Sequence, residues 1–127
     1  MFDYLNYATK LNYLMTEELF KKRTKNLALI CGEFVDGLPS RKSLDIYGRH
    51  LIRSSSSVGA NYRAVCRAKS QADMINKLKI VEEETDETLY WLELIEESSH
   101  ITNNEPLNFL KKEADEILSM IISSLKL

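Results

Sequence analysis

GRHLIRSSSSVGANYRAVCRAKSQADMINKLKIVEEETDETLYWLEL, residues 48–94, decides the fold because two helical patterns meet in it at one break, Ser70. Before the break, Leu44, Tyr47, Leu51, Val58, Tyr62 and Val65 return at helical spacing, which predicts a helix from about Ser43 to Lys69. After it, Met74, Leu78, Val81, Thr85, Leu89 and Leu92 form the inward seam of a third helix. Ser70 followed by Asp73 has the pattern of a capping box, in which each residue satisfies a free backbone N–H of the other.

Two further helices flank this pair. Thr16, Glu17 and Glu18 suit the positive end of a helix that runs to Asp36 and stops at Gly37, Leu38 and Pro39. Tyr4, Ala8, Leu11 and Met15 keep the same spacing, so residues 1–15 are an N-terminal arm or an extension of that helix. Asn104, Glu105 and Pro106 start a fourth helix, with Leu107, Leu110, Ala114, Ile117, Ile121 and Leu125 as its apolar stripe. No segment alternates with a period of two, so the fold class is all-α. Four amphipathic stripes joined by short turns predict an antiparallel up-down four-helix bundle, one domain over residues 1–127.

Composition supports a modest core. The chain is 44% apolar and 28% charged over 127 residues, with no charge-free run near the roughly 20 residues a membrane span needs. The N-terminus lacks the basic start and apolar centre of a secretory signal, so a cytoplasmic location is expected. Cys31 and Cys66 lack metal-type spacing and read as free thiols.

Net charge is only −2, yet its distribution is polar. Arg41 to Lys69 holds seven basic residues and one acid, whereas Ser70 to Ser99 holds two basic residues and nine acids. At about 100° per residue, Arg49, Arg53, Arg63 and Arg67 share a strip about 80° wide and about 27 Å long, roughly opposite the apolar face. Such a row, with Lys69 near its end, is the candidate nucleic-acid contact, because guanidinium forks match phosphate geometry. It equally suits carboxylates on another subunit. On the third helix, Ile80, Trp91 and Leu94, with Glu84 and Glu87, project away from the inward seam, and this second face is the candidate oligomer interface.

Catalytic patterns are missing. Ser54–Ser57 with Gly59 and Ala60 form a patch of small residues expected to bring the second and third helices close, opposite Glu82–Glu87. No histidine stands at a spacing that would activate a serine. His50 and His100 belong to neither an HExxH nor an ExxH pattern, and no phosphate-binding glycine loop occurs, so no enzyme activity, metal or cofactor is expected.

The phrases RSSSSVGANYRAVCRAKS, INKLKIVEEETDE and YWLEL, with Arg23, Thr24, Lys25 and Ala28 upstream, resemble the bacterial four-helix-bundle proteins first met as products of intervening sequences in 23S rRNA genes. The likeness extends from Glu17 to Ser98. It implies a homo-oligomer, a closed ring of pentameric type, with no established activity. The accessory proteins of diversity-generating retroelements look like relatives, which implies a nucleic-acid-associated scaffold with RNA or DNA and a reverse transcriptase as partners. The alternative is a ring-forming protein–protein adaptor that binds no nucleic acid. A name linking the family to the ribosome sits poorly with an acidic chain, since rRNA binders are usually basic.

Overall fold

The computed structural model describes residues 7–99, 101 and 104–126, with side chains from residue 16 onward. Four helices follow in order: α1 (Tyr7–Asp36), α2 (Lys42–Cys66), α3 (Gln71–Ser99) and α4 (Glu105–Leu125). Each helix packs on its neighbours in sequence, α4 closes back on α1, and among the described residues diagonal helices do not pair. Neighbours run antiparallel, so the fold is the all-α four-helix bundle that the periodicity predicts. The α2–α3 pairing is the most extensive and the α1–α4 pairing the thinnest.

Local chemistry sets the breaks. At the end of α1, the Gly37 N–H donates to the Glu33 and Phe34 carbonyls and Pro39 ends the run. The Asp73 N–H donates to Ser70 Oγ at 3.1 Å, the expected half of a capping box, but Asp73 Oδ2 accepts at 3.0 Å from the Lys69 N–H in place of that of Ser70. That box claims Lys69 for the next helix. α2 therefore ends at Cys66 rather than Lys69, with Arg67 and Ala68 donating in a tighter turn to the Ala64 and Val65 carbonyls. Asn104 Oδ1 accepts from the Leu107 N–H at 2.9 Å and starts α4.

The core collects Leu27 and Cys31 of α1, Leu44, Leu51 and Val58 of α2, Val81, Leu92 and Ile95 of α3, and the α4 stripe from Leu107 to Ile121. Tyr47, Tyr62, Met74, Leu89 and Leu125 pack against its edge as half-buried groups. A polar layer crosses the core at Thr24, Ser54, Ser55, Thr85 and Thr88, all fully buried. Each hydroxyl is satisfied locally: Thr24 donates to the Phe20 carbonyl at 2.9 Å and Thr85 to the Val81 carbonyl at 2.7 Å.

The small-residue patch of α2 serves two partners, a correction to the single contact expected from sequence. Ser54 Oγ lies 3.0 Å from Thr88 Oγ1 on α3. Gly59, in contrast, faces α1, where an added Cβ would stand 3.2 Å from Thr24 Oγ1 and 3.4 Å from the Thr24 carbonyl carbon. Gly48 makes a second close approach to α1, since a Cβ there would meet Val35 Cγ1 at 2.9 Å. Glycines on α2 thus let α1 lie close against it, while serine and threonine pack the α2–α3 seam. The thin α1–α4 seam is clasped by Arg23, whose Nε and Nη2 donate to the two Glu113 oxygens at 2.7 and 2.8 Å.

Candidate functional site

Helical geometry places Arg49, Arg53 and Arg63 on the exposed side of α2, as the projection requires, while Arg67, also exposed, caps the helix just past its end, and the row is not uniform. Arg53 reaches around to α3. Its Nη2 donates to Glu87 Oε2 at 2.7 Å and lies 3.3 Å from Glu84 Oε2. Arg53 therefore pairs with acids of its own chain, although Glu84 and Glu87 were expected to face another subunit. The Arg53 guanidinium is the main reason the Glu87 carboxyl titrates below its ordinary range, with burial opposing and the Trp91 Nε1–H adding a 3.3 Å hydrogen bond. Glu84 Oε2 is buried and accepts no hydrogen bond, so the Arg53 charge is its compensation.

The same pair of helices encloses Trp91. Its ring is half-buried and stacks on His50 at 4.3 Å and 11° and on Tyr47 at 6.0 Å and 29°, while Tyr90 meets it edge-on at 5.0 Å. Trp91, Glu84 and Glu87 are thus engaged with α2 of their own protomer. Ile80, three helical turns earlier on the same face of α3, is exposed, and Leu94 is half-buried.

Arg63 and Arg67 have different company. They line a shallow groove of about 700 Å³ with Lys21 and Lys25 of α1 and Lys77 of α3. Its other walls are Thr24, Ala28, Ser56, Gly59, Ala60 and Ala64, so the lining contains five cations and no carboxylate. Lys21 is balanced by Glu17 and Glu18, each at 3.3 Å, and Lys77 by Asp73 at 2.8 Å. Lys25, Arg63 and Arg67 have no carboxylate within ion-pair distance among the described residues. Lys69 lies outside this groove, in the turn before α3. Arg49 sits about two turns from the groove's nearest α2 residue, its Nε 3.4 Å from the Asp45 carbonyl.

Three groove cations escaped the sequence reading because they come from other helices. Lys21 and Lys25 are four residues apart on α1 and so share a face; that spacing was the available signal. What it lacked was the Gly59–Thr24 approach that lays this face beside Arg63.

Other chemistry finds little support. Burial is the chief cause pushing both thiols up to about 11, in Cys31 and in Cys66, so they stay protonated at neutral pH and are poor nucleophiles. Among the described residues no cluster of His, Cys, Asp and Glu could hold a metal, and no helix is long and apolar enough to cross a membrane.

Residues 19–123 match the 23S rRNA-intervening sequence protein family. The chain belongs to that family. Among solved structures, a protein of unknown function from the S23 ribosomal protein family of Bacteroides thetaiotaomicron is similar, with 33% identity and a TM-score of 0.75. The alignment covers 84% of this chain and 98% of that one. No curated protein matches. Both ends of the groove's α2 wall, Ser56 and Arg67, and its α1 lysines fall inside the stretch matched to the intervening-sequence family.

Proposed function

We propose that this intervening-sequence protein is a non-catalytic, nucleic-acid-associated scaffold that holds a phosphate backbone on its α1–α2 face. One observation carries the reading: Lys25, Arg63 and Arg67 converge on a groove whose lining has no acid. Apart from its cations the lining offers only small side chains, so the contact is chiefly to phosphate and little dependent on sequence. The contact is centred on the Arg63 half of the α2 row, because Arg53 is already spent on Glu84 and Glu87. A net-acidic chain repels polyanions at long range, so affinity is local, modest and salt-sensitive.

Anisotropy titrations with a labelled RNA or DNA oligomer test it. The double variant Arg63→Gln/Arg67→Gln should bind more weakly across all sequences and flatten the salt slope by about 1–2. Arg53→Gln should change binding far less. Equal losses from both variants, or wild-type binding that ignores salt, would overturn this reading.

The adaptor reading has one observation of its own. Leu19 and Leu29, 64% and 58% exposed, stand on the outer side of α1 and suit a protein partner, including further copies in a ring. Native mass by light scattering separates the two readings when Leu19→Ser/Leu29→Ser is compared with the arginine variant. Under the adaptor reading only the leucine variant loses mass, and neither changes nucleic-acid binding.

A further inference from the structure

A site that offers a polyanion nothing but charge discriminates by charge density. Duplex nucleic acid carries about one phosphate charge per 1.7 Å of axis, against one per about 3.4 Å along a strand, and releases more counterions per contact. Single-strand binders usually offset this with aromatic platforms, each stacked base contributing about 1–3 kcal/mol. Among the described residues, no ring lines the groove. Among the same residues, Tyr62 packs on Phe20 at 4.5 Å, and Tyr47, His50 and Tyr90 pack on Trp91. That aromatic cluster is also displaced, since His50 precedes Arg63 by about 20 Å along the α2 axis.

We infer that the groove of Lys25, Arg63 and Arg67 selects double-stranded over single-stranded nucleic acid. The inference rests on the phosphate-binding reading above and names its ligand. With three uncompensated cations, the salt slope should be about −2.7 for a duplex and about −2.1 for a single strand. The duplex preference should therefore widen about twofold between 200 and 50 mM salt.

The test is anisotropy with a labelled 20-mer of mixed sequence, single-stranded and duplex, in DNA and again in RNA, on the wild type and on Arg63→Gln/Arg67→Gln. Helicity by circular dichroism controls for folding of the variant. Tighter duplex binding in both chemistries, widening as salt falls and lost in the variant, is the expected result. Single strands bound as tightly as duplexes, with both lost in the variant, overturn the selectivity and leave the phosphate reading standing. Absence of binding at 50 mM salt, or binding that the variant retains at full strength, overturns the phosphate reading itself.

Discussion

Gly59 is where folding and the groove meet, and its substitution has a sign that can be worked out. Alanine is favoured over glycine inside a helix by about 1 kcal/mol. Against this, the new Cβ would stand 3.2 Å from Thr24 Oγ1 and 3.4–3.5 Å from the α1 backbone at Thr24 and Lys25. The backbone distances are ordinary contacts, but the hydroxyl must move by a few tenths of an ångström. It is fully buried and tied to the Phe20 carbonyl at 2.9 Å, so it cannot swing away without losing that bond. Gly59→Ala should thus be nearly neutral, whereas Gly59→Val drives branched methyls into the same wall and should cost about 2 kcal/mol. For a chain of this length that is a fall in Tm of about 6–10 °C, read by circular dichroism at 222 nm. Removing the obstacle provides the control: in a Thr24→Ala background, Gly59→Ala should recover close to the full propensity gain, a coupling of about 0.5–1 kcal/mol. A Gly59→Val protein that melts with the wild type, or a Gly59→Ala effect equal in both backgrounds, would show that α1 and α2 are not in close contact there.

Trp91→Ala should cost about 2–3 kcal/mol in urea unfolding, because it strips the half-buried ring from His50 and Tyr47, with native mass unchanged; loss of mass at full stability would instead make Trp91 an assembly anchor. Glu87→Gln should lower stability at pH 7 by less than about 1 kcal/mol, as befits a partly exposed pair. Because the Glu87 carboxyl titrates below its unfolded value of about 4.3, the stability it adds is present above that pH and disappears as pH falls through its folded value. Wild type and variant should therefore melt alike near pH 3 and diverge by pH 6; a difference that persists in acid would rule out the Arg53 pairing as its origin.

Helix starts with a side-chain cap were legible because their chemistry is local: Ser70 with Asp73, and Asn104 ahead of Pro106, need only their own neighbours. The α4 stripe was legible for a similar reason, since Leu107, Leu110, Ala114, Ile117 and Ile121 keep one period and all of them are buried. The end of α2 was misjudged because Arg67 and Lys69 continue a helical spacing while the capping box withdraws Lys69 from it. Arg53 was placed correctly as a backbone position and wrongly as a charge. A helical projection fixes the direction of Cβ, but an arginine side chain is long enough to bend around its helix to Glu84 and Glu87. The groove was least legible of all, for its members lie on three helices and become neighbours only when Gly59 and Gly48 let α1 approach α2.

The unequal packing around the bundle gives it a parting line. With α2 bound broadly to α3 and α1 seated on the α2 glycines, the α1–α4 seam is joined most thinly and carries its clasp on one residue, Arg23. Partial openings of a folded protein follow the contacts that are fewest to break. The molecule therefore opens like a book with its spine at α2–α3, and the first interior it shows is the α1 side of the core, where Leu27 and Cys31 lie. The unpaired cations of the groove, Lys25, Arg63 and Arg67, ride together on the α1–α2 page and only Lys77 sits across the spine, so whatever they hold need not be released when the core breathes.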